Sequence, residues 1–287
     1  MKRILIILAF SAATFTANAQ LLWKISGNGL KNPSYILGTH HVASGDICDK
    51  IAGFKDAYNS ILQVYGEVVT DEMNSASAQM KALKSSLMPK GQTLSSLYTP
   101  EQIEKIDQFL KPILGKGLSA FNKLKPVALT STIQVLMAQK LFPDFKLEKG
   151  LDSHMQTMAK KDKKAVKGLE TVEFQLSVLY DTPVEDQAKE LLEMAEKGKK
   201  AEEDIVKLTK CYLKQDLDSL WEIMMEDAEP GELDDFLFNR NKNWIVQMKD
   251  IMPQTQTMFV VGAGHLPGEL GVLSLLKKDG YKIEPVW

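Results

Sequence analysis

Two stretches far apart in the chain share a pattern. SYILGTHHV near the start and MFVVGAGHLPG near the end each run from apolar residues into glycine, two further residues and histidine, giving Gly38 with His41 and Gly262 with His265. The chain has only 4 histidines, and two of them close these turns. Glycine at the end of a buried strand lets the backbone bend and come close to a ligand. A residue just beyond it projects over the sheet edge, where open α/β folds place their sites. Two imidazoles meeting there can bind a divalent metal or share acid–base work. His40 adjoins His41, but alternation along an extended chain points it to the other face. The repeated spacing therefore favours His41.

Other side chains could complete such a site. Glu67 interrupts the apolar run VYGEVV, and two histidines with a carboxylate form a common ligand set for Zn, Mn, Co or Fe. NRNKNW carries Arg240 and Asn241 in a helical stretch starting near Asp234. If that helix faces the sheet edge, Arg240 could hold an anionic substrate group or a developing oxyanion. Glu170 in GLETVEFQ follows a strand and is expected to cap the next helix. His154, one turn into a helix after an Asp152 cap, reads as structural. H-E-x-x-H, C-x-x-C, G-x-S-x-G and P-loop motifs do not occur in the chain.

The elements that must position these residues follow from local pattern. LLWKIS and SYIL read as strands of a hairpin around the turn residues of GNGLKNP. Ile47 to Asn59 fits a helix, and Ile61 to Val69 a third strand. Thr99-Pro100-Glu101-Gln102 and Thr182-Pro183-Val184-Glu185 both read as capping boxes with proline at the first helical position. Six or seven helices are expected from about residue 92 to 250, interrupted by a short strand, KAVKGLE. QTMFVVGAGH reads as a strand and turn, LPGELGVLSLLKKDG as a helix and YKIEPVW as the last strand. Strands from both chain ends then build the core β-sheet of an α/β fold, with a large helical insertion at about 92–250.

The first 19 residues have a basic start (Lys2, Arg3), an apolar run from Ile4 and small residues at Ala17 and Ala19. That is the layout of a secretory signal peptide, so residues 20–287 are expected as one exported, periplasmic or extracellular domain with no membrane span. A hydrophobic content of 44% and a charged content of 25% are ordinary for a globular protein. A net charge of −2 gives no electrostatic case for nucleic acid. Cys48 and Cys211 could form one disulfide in an oxidising compartment.

LLWKISGN…SYILGTHHV, the strand ending in Glu67, GLETVEFQ, NRNKNW and FVVGAGHLPGELGVLSLLKKDGYKIEPV together resemble the TraB/GumN family, grouped with the Tiki proteases, the erythromycin esterases and the ChaN-like proteins. The resemblance covers nearly the whole expected mature chain, in the same order. It implies an α/β fold with a site of two G-x-x-H histidines, a glutamate and an arginine: here His41, His265, Glu67 and Arg240. Asn241 matches an asparagine that often follows the arginine, and is read as a substrate contact. The Tiki likeness implies a divalent metal, Mn or Co, on His41, Glu67 and His265, where the ligand types also suit Zn, and a peptide or small-molecule substrate. The esterase likeness implies water activated without a metal, and the ChaN likeness implies haem binding. The expectation is an exported hydrolase of metallopeptidase type, with a metal-independent esterase or a non-hydrolytic metal- or haem-binding protein as alternatives. Gly66, just before Glu67, departs from the bulkier strand residue expected there.

Overall fold

The computed structural model describes residues 20–40, 43–143, 150–226, 228, 231 and 233–287. His41 and the expected signal peptide lie outside the described residues. The chain opens with a hairpin of β1 (Leu22–Gly27) and β2 (Ser34–Thr39), paired antiparallel with Leu22 opposite Leu37. Its turn needs three successive left-handed residues, Gly27, Asn28 and Gly29, at φ 76°, 46° and 80°. Glycine and asparagine are the residues that adopt this conformation most readily. The single helix expected over Ile47 to Asn59 is instead a 3₁₀ turn at Gly45–Lys50 followed by α1 (Phe54–Ser60). Gly53, left-handed at φ 65°, separates the two.

The third strand is shorter than its apolar run. β3 spans Gln63–Gly66, leaving Glu67 just past its end. Then come α2 (Thr70–Met73), α3 (Ala76–Ser85), α4 (Pro100–Leu114), α5 (Pro126–Leu141), α6 (Leu151–Lys161), β4 (Ala165–Gly168), α7 (Val172–Tyr180), α8 (Val184–Lys197), α9 (Lys199–Leu213), α10 (Leu217–Glu226), α11 (Asn239–Ile251), β5 (Thr257–Gly262), α12 (Val272–Lys278) and β6 (Tyr281–Pro285). α4 starts as its sequence dictates: the Thr99 hydroxyl accepts from the Gln102 backbone N–H, and the Gln102 side chain accepts from that of Thr99. At the second expected capping box Pro183 occupies the cap position and α8 begins one residue later, so the Thr182 side chain caps nothing. More helices form among the described residues than expected, because Gly198, at φ 52°, divides a charged run into α8 and α9. The last helix begins at Val272 rather than near Leu266, with Gly268 left-handed at φ 83° in the loop before it.

Six strands form one mixed sheet in the order β4-β3-β5-β2-β1-β6. The four from β4 to β2 are parallel, while β1 is antiparallel to both neighbours, β2 and β6. Both chain ends supply strands, and β5 sits between β3 and β2. Covered on both faces, β5 is continuously apolar, with Met258, Phe259, Val260 and Val261 all at 0% exposure. The sheet core takes Met155 and Ala159 from α6, Trp244 and Met248 from α11 and Leu276 from α12. A second core joins Ile106 and Leu110 of α4, Leu129 and Ile133 of α5 and Leu191 of α8. The region between residues 92 and 250 is thus shared: some helices pack on the sheet and others on each other. Cys48 and Cys211 are both free thiols, and Cys48 packs its sulfur 3.7 Å from Met155 Sδ. Among the described residues no helix is long and apolar enough to cross a membrane.

Candidate functional site

All four parallel strands point their C-terminal ends at one edge of the sheet. There Glu67 follows β3, Glu170 follows β4, His265 follows β5 and His40 follows β2. Thr39 lies opposite Gly262 in the β2–β5 register, so the two glycine-histidine turns emerge side by side. The close packing explains two small residues. A Cβ on Gly38 would come within 2.9 Å of the Leu266 side chain. One on Gly66 would sit 2.5 Å from Gln156 Nε2. Gln156, from α6, instead donates to Val68 O at 2.8 Å and accepts from Thr70 N–H at 2.8 Å, bracing the backbone just after Glu67. That is the local reason for glycine where a bulkier residue was expected.

Arg240 organises the centre. Its Nε donates to Glu170 Oε1 at 2.8 Å, and Nη2 donates to Glu67 Oε2 at 2.6 Å and Glu170 Oε2 at 2.9 Å. Nη1 donates to Phe236 O at 3.0 Å, in the π-helical turn Asp234–Phe238 that runs into α11, and to His265 Nε2 at 3.2 Å. These contacts engage all five guanidinium N–H groups, leaving none for a substrate anion. Burial opposes the Arg240 charge, but the hydrogen bonds and charges of Glu170 and Glu67 outweigh it and raise its pKa above the usual arginine value. The side chains of Arg240 and Glu170 are only 6% and 4% exposed, whereas that of Glu67 is 17% exposed.

Glu170 is therefore not a helix cap. Thr171 caps α7 by accepting from Phe174 N–H, while the Glu170 carboxylate accepts from Arg240, Trp244 Nε1 (2.8 Å) and Gln175 Nε2 (3.1 Å). Gln175 also donates to Glu67 Oε2 at 3.1 Å, and Gly262 N–H donates to Glu67 Oε1 at 2.8 Å. Glu170, Gln175 and Trp244 were the members missed from sequence. The signal for Glu170 and Gln175 lay in GLETVEFQ, where Glu170 is left over for another partner once Thr171 serves as cap; Trp244 closes NRNKNW, one helical turn after Arg240.

Asn241 sets the state of His265. Its Nδ2 faces two carbonyls, His265 O at 3.3 Å and Leu270 O at 2.9 Å, an arrangement only the amide nitrogen satisfies. Oδ1 then accepts from His265 Nδ1 at 2.7 Å. With Arg240 donating to Nε2, His265 is a neutral imidazole protonated on Nδ1. The Trp244 ring packs against it, with centroids 4.3 Å apart. Asn241 thus touches His265 rather than the cleft.

Glu67, Arg240, Asn241 and His265 are brought together as the sequence predicts, and His41 lies outside the described residues. His40, set aside in the sequence reading, lines the same cleft, with Nε2 3.5 Å from Thr209 Oγ1 and its ring edge-on to Tyr212. His154 is structural, packed where a Cβ on Gly45 would meet it. Asp152 does not cap α6 but accepts from Thr39 Oγ1 at 2.9 Å, tying the end of β2 to that helix. The cleft has a volume of about 620 Å³ and runs from Glu67 and His265 out between α7, α9 and α10. A larger groove of about 950 Å³ lies among α4, α5, α8 and α9, flanked by the ion pairs Lys105–Glu196 and Lys140–Glu202, and contains none of these residues.

A divalent metal on Glu67 and His265 would need the Nε2 lone pair to which Arg240 donates, in a place held by a guanidinium charge. No group of three His, Cys, Asp or Glu side chains suited to a metal occurs among the described residues. Glu67 and His265 as arranged do not by themselves fit the ion.

A mixed α/β sheet with a Glu–Arg–Glu cluster and an oriented histidine at its C-terminal edge defines a class of site. The chain itself belongs to the TraB/PrgY/gumN family, whose family model matches residues 21–285. No curated protein and no solved structure shows a significant match to it.

Proposed function

We propose that the protein is an exported hydrolase in which Glu67 and His265 activate water against a carbonyl at the inner end of the cleft. The observation that carries this is the pairing of Glu67 Oε1 with His265 Nε2, 3.9 Å apart, at the charged inner end of the cleft. Oε1 accepts Gly262 N–H, and a water entering between the two groups donates one proton to Oε1 and the other to Nε2, displacing the long Arg240 Nη1 contact (3.2 Å) while Nη1 keeps Phe236 O. Glu67 takes the water's proton as the oxygen attacks the carbonyl carbon, then returns it to the leaving group. His265 orients the water, and Arg240 and Asn241 hold Glu67 and His265 in place. Export is supported by the basic, apolar and small-residue pattern of the first 19 residues. A metal-assisted form depends on His41, and the same experiment separates it.

The test is hydrolysis of a mixed peptide and ester panel by purified protein, with chelator and with added Mn. Glu67→Gln, which keeps the shape, should lower the rate by about 100-fold or more. A Glu67→Gln variant as active as the parent refutes the proposal. Activity lost to chelator and restored by Mn only when His41 is intact assigns the metal form.

A further inference from the structure

The cleft is chemically two-sided. At its inner end two carboxylates, Glu67 and Glu170, surround one guanidinium, so the cluster carries net negative charge. Arg240 is the only Lys or Arg among the described residues lining the cleft, and all five of its N–H groups are engaged. Away from that end the walls are mainly apolar: Val178 and Leu179 of α7, Leu208 of α9, and Leu220 and Met224 of α10, with Phe236 half-exposed at the rim and Gln134 of α5 the polar exception. Met224 packs where a Cβ on Gly264 would sit, 2.7 Å from its Cε, so this wall reaches the residue beside His265. A substrate anion placed here would meet like charge, with the Arg240 donors already engaged, whereas a hydrocarbon chain would replace water along one side.

Resting on the proposed hydrolase reading, we infer that the cleft takes an uncharged substrate bearing an apolar acyl chain or side chain. The chain lies along α7, α9 and α10, and the bond to be cleaved lies at Glu67 and His265. A cleft of about 620 Å³ is within the usual range for small-molecule sites and accommodates a medium-length chain.

Binding can be read without turnover. Acetyl-, butanoyl-, hexanoyl- and octanoyl-glycinamide, with the corresponding acyl-glycine acids, are titrated calorimetrically into the full-length His265→Gln variant, which keeps both carboxylates and the guanidinium. Affinity should rise about threefold to fourfold per methylene at one ligand per chain, and each acid should bind more weakly than its amide. Val178→Glu and Leu208→Glu, both at half-buried wall positions, should each flatten the series. A series flat in the parent variant, or acids binding as tightly as amides, overturns the inference, as does a slope unchanged in both wall variants. If the slope is present but the unmutated protein hydrolyses none of the panel, the binding site stands and the hydrolase reading falls. If hydrolysis is present and the slope absent, the outcome is reversed.

Discussion

Replacing Arg240 by methionine tests the centre of the site most directly. Methionine preserves much of the stem but removes five donors and the only positive charge between two carboxylates. Glu67, 17% exposed, can regain water from the cleft. Glu170, 4% exposed, cannot, and keeps only Trp244 and Gln175 as donors. The cost is therefore mainly that of a buried carboxylate without its partner, about 3–5 kcal/mol. For a chain this size that corresponds to roughly 10 °C in Tm. Adding Glu170→Gln removes the stranded charge while leaving an acceptor for Trp244. The double variant should recover about 2 kcal/mol or more relative to Arg240→Met alone. Urea unfolding followed by circular dichroism measures both. A single variant destabilised by less than about 1 kcal/mol, or a double variant no more stable than the single, would refute the assignment of Glu170 as the buried partner.

The remaining predictions concern geometry and thiols. Nitrogen NMR of His265 should show the proton on Nδ1, and Asn241→Leu should lose that tautomer and much of the activity; a proton on Nε2 in the parent protein contradicts the assigned network. Gly66→Ala drives a methyl into Gln156 and should cost about 1–3 kcal/mol, with activity falling more than stability because Glu67 shifts; an unaltered variant shows that the bracing contact is dispensable. The Cys48 thiol is pushed up to about 12, chiefly by burial and then by Asp49, so native protein at pH 8 should resist alkylation there while denatured protein reacts at both cysteines. Because its ordinary value is 9.0, the thiol's contribution to stability is complete below pH 9 and declines as pH rises from 9 towards 12. Unfolding titrations across that range check the sign, and stability rising with pH through Cys48 ionisation would contradict it.

Much of the sheet was legible because its signals are local. The hairpin turn, the apolar runs of β2 and β5 and the Thr99 cap all follow from residue pattern and appear where expected. Glu67 and His265 were legible as chemistry out of place, an acid in an apolar strand and a histidine after a glycine turn, whereas Arg240, ordinary for a helix surface by pattern, entered the site through the family resemblance. Glu170 was not, because a carboxylate before a helix has a bland local explanation, and only the tertiary fold shows Thr171 already serving as cap. Gly66 looked like a departure because its reason, Gln156, sits on α6 in another part of the chain. The apolar cleft wall was equally hidden, since Leu208 and Leu220 read as ordinary helix-face residues until the packing of three helices gives them a common space.

The position of β5 has a consequence for how the protein is made. β3 and β2 are not neighbours, and the strand that joins them is the fifth in sequence. A nascent chain can close the β1–β2 hairpin and pair β3 with β4, but these halves stay unjoined until residues 257–262 have been synthesised. Such non-local pairing raises contact order and slows folding. It also means that Glu67 has neither Gly262 nor His265 beside it in any shorter product. Premature termination before β5 thus yields an inert chain in which β3, β2 and β1 each keep an edge that β5 or β6 would have covered, a substrate for quality-control proteases rather than a partly competent catalyst.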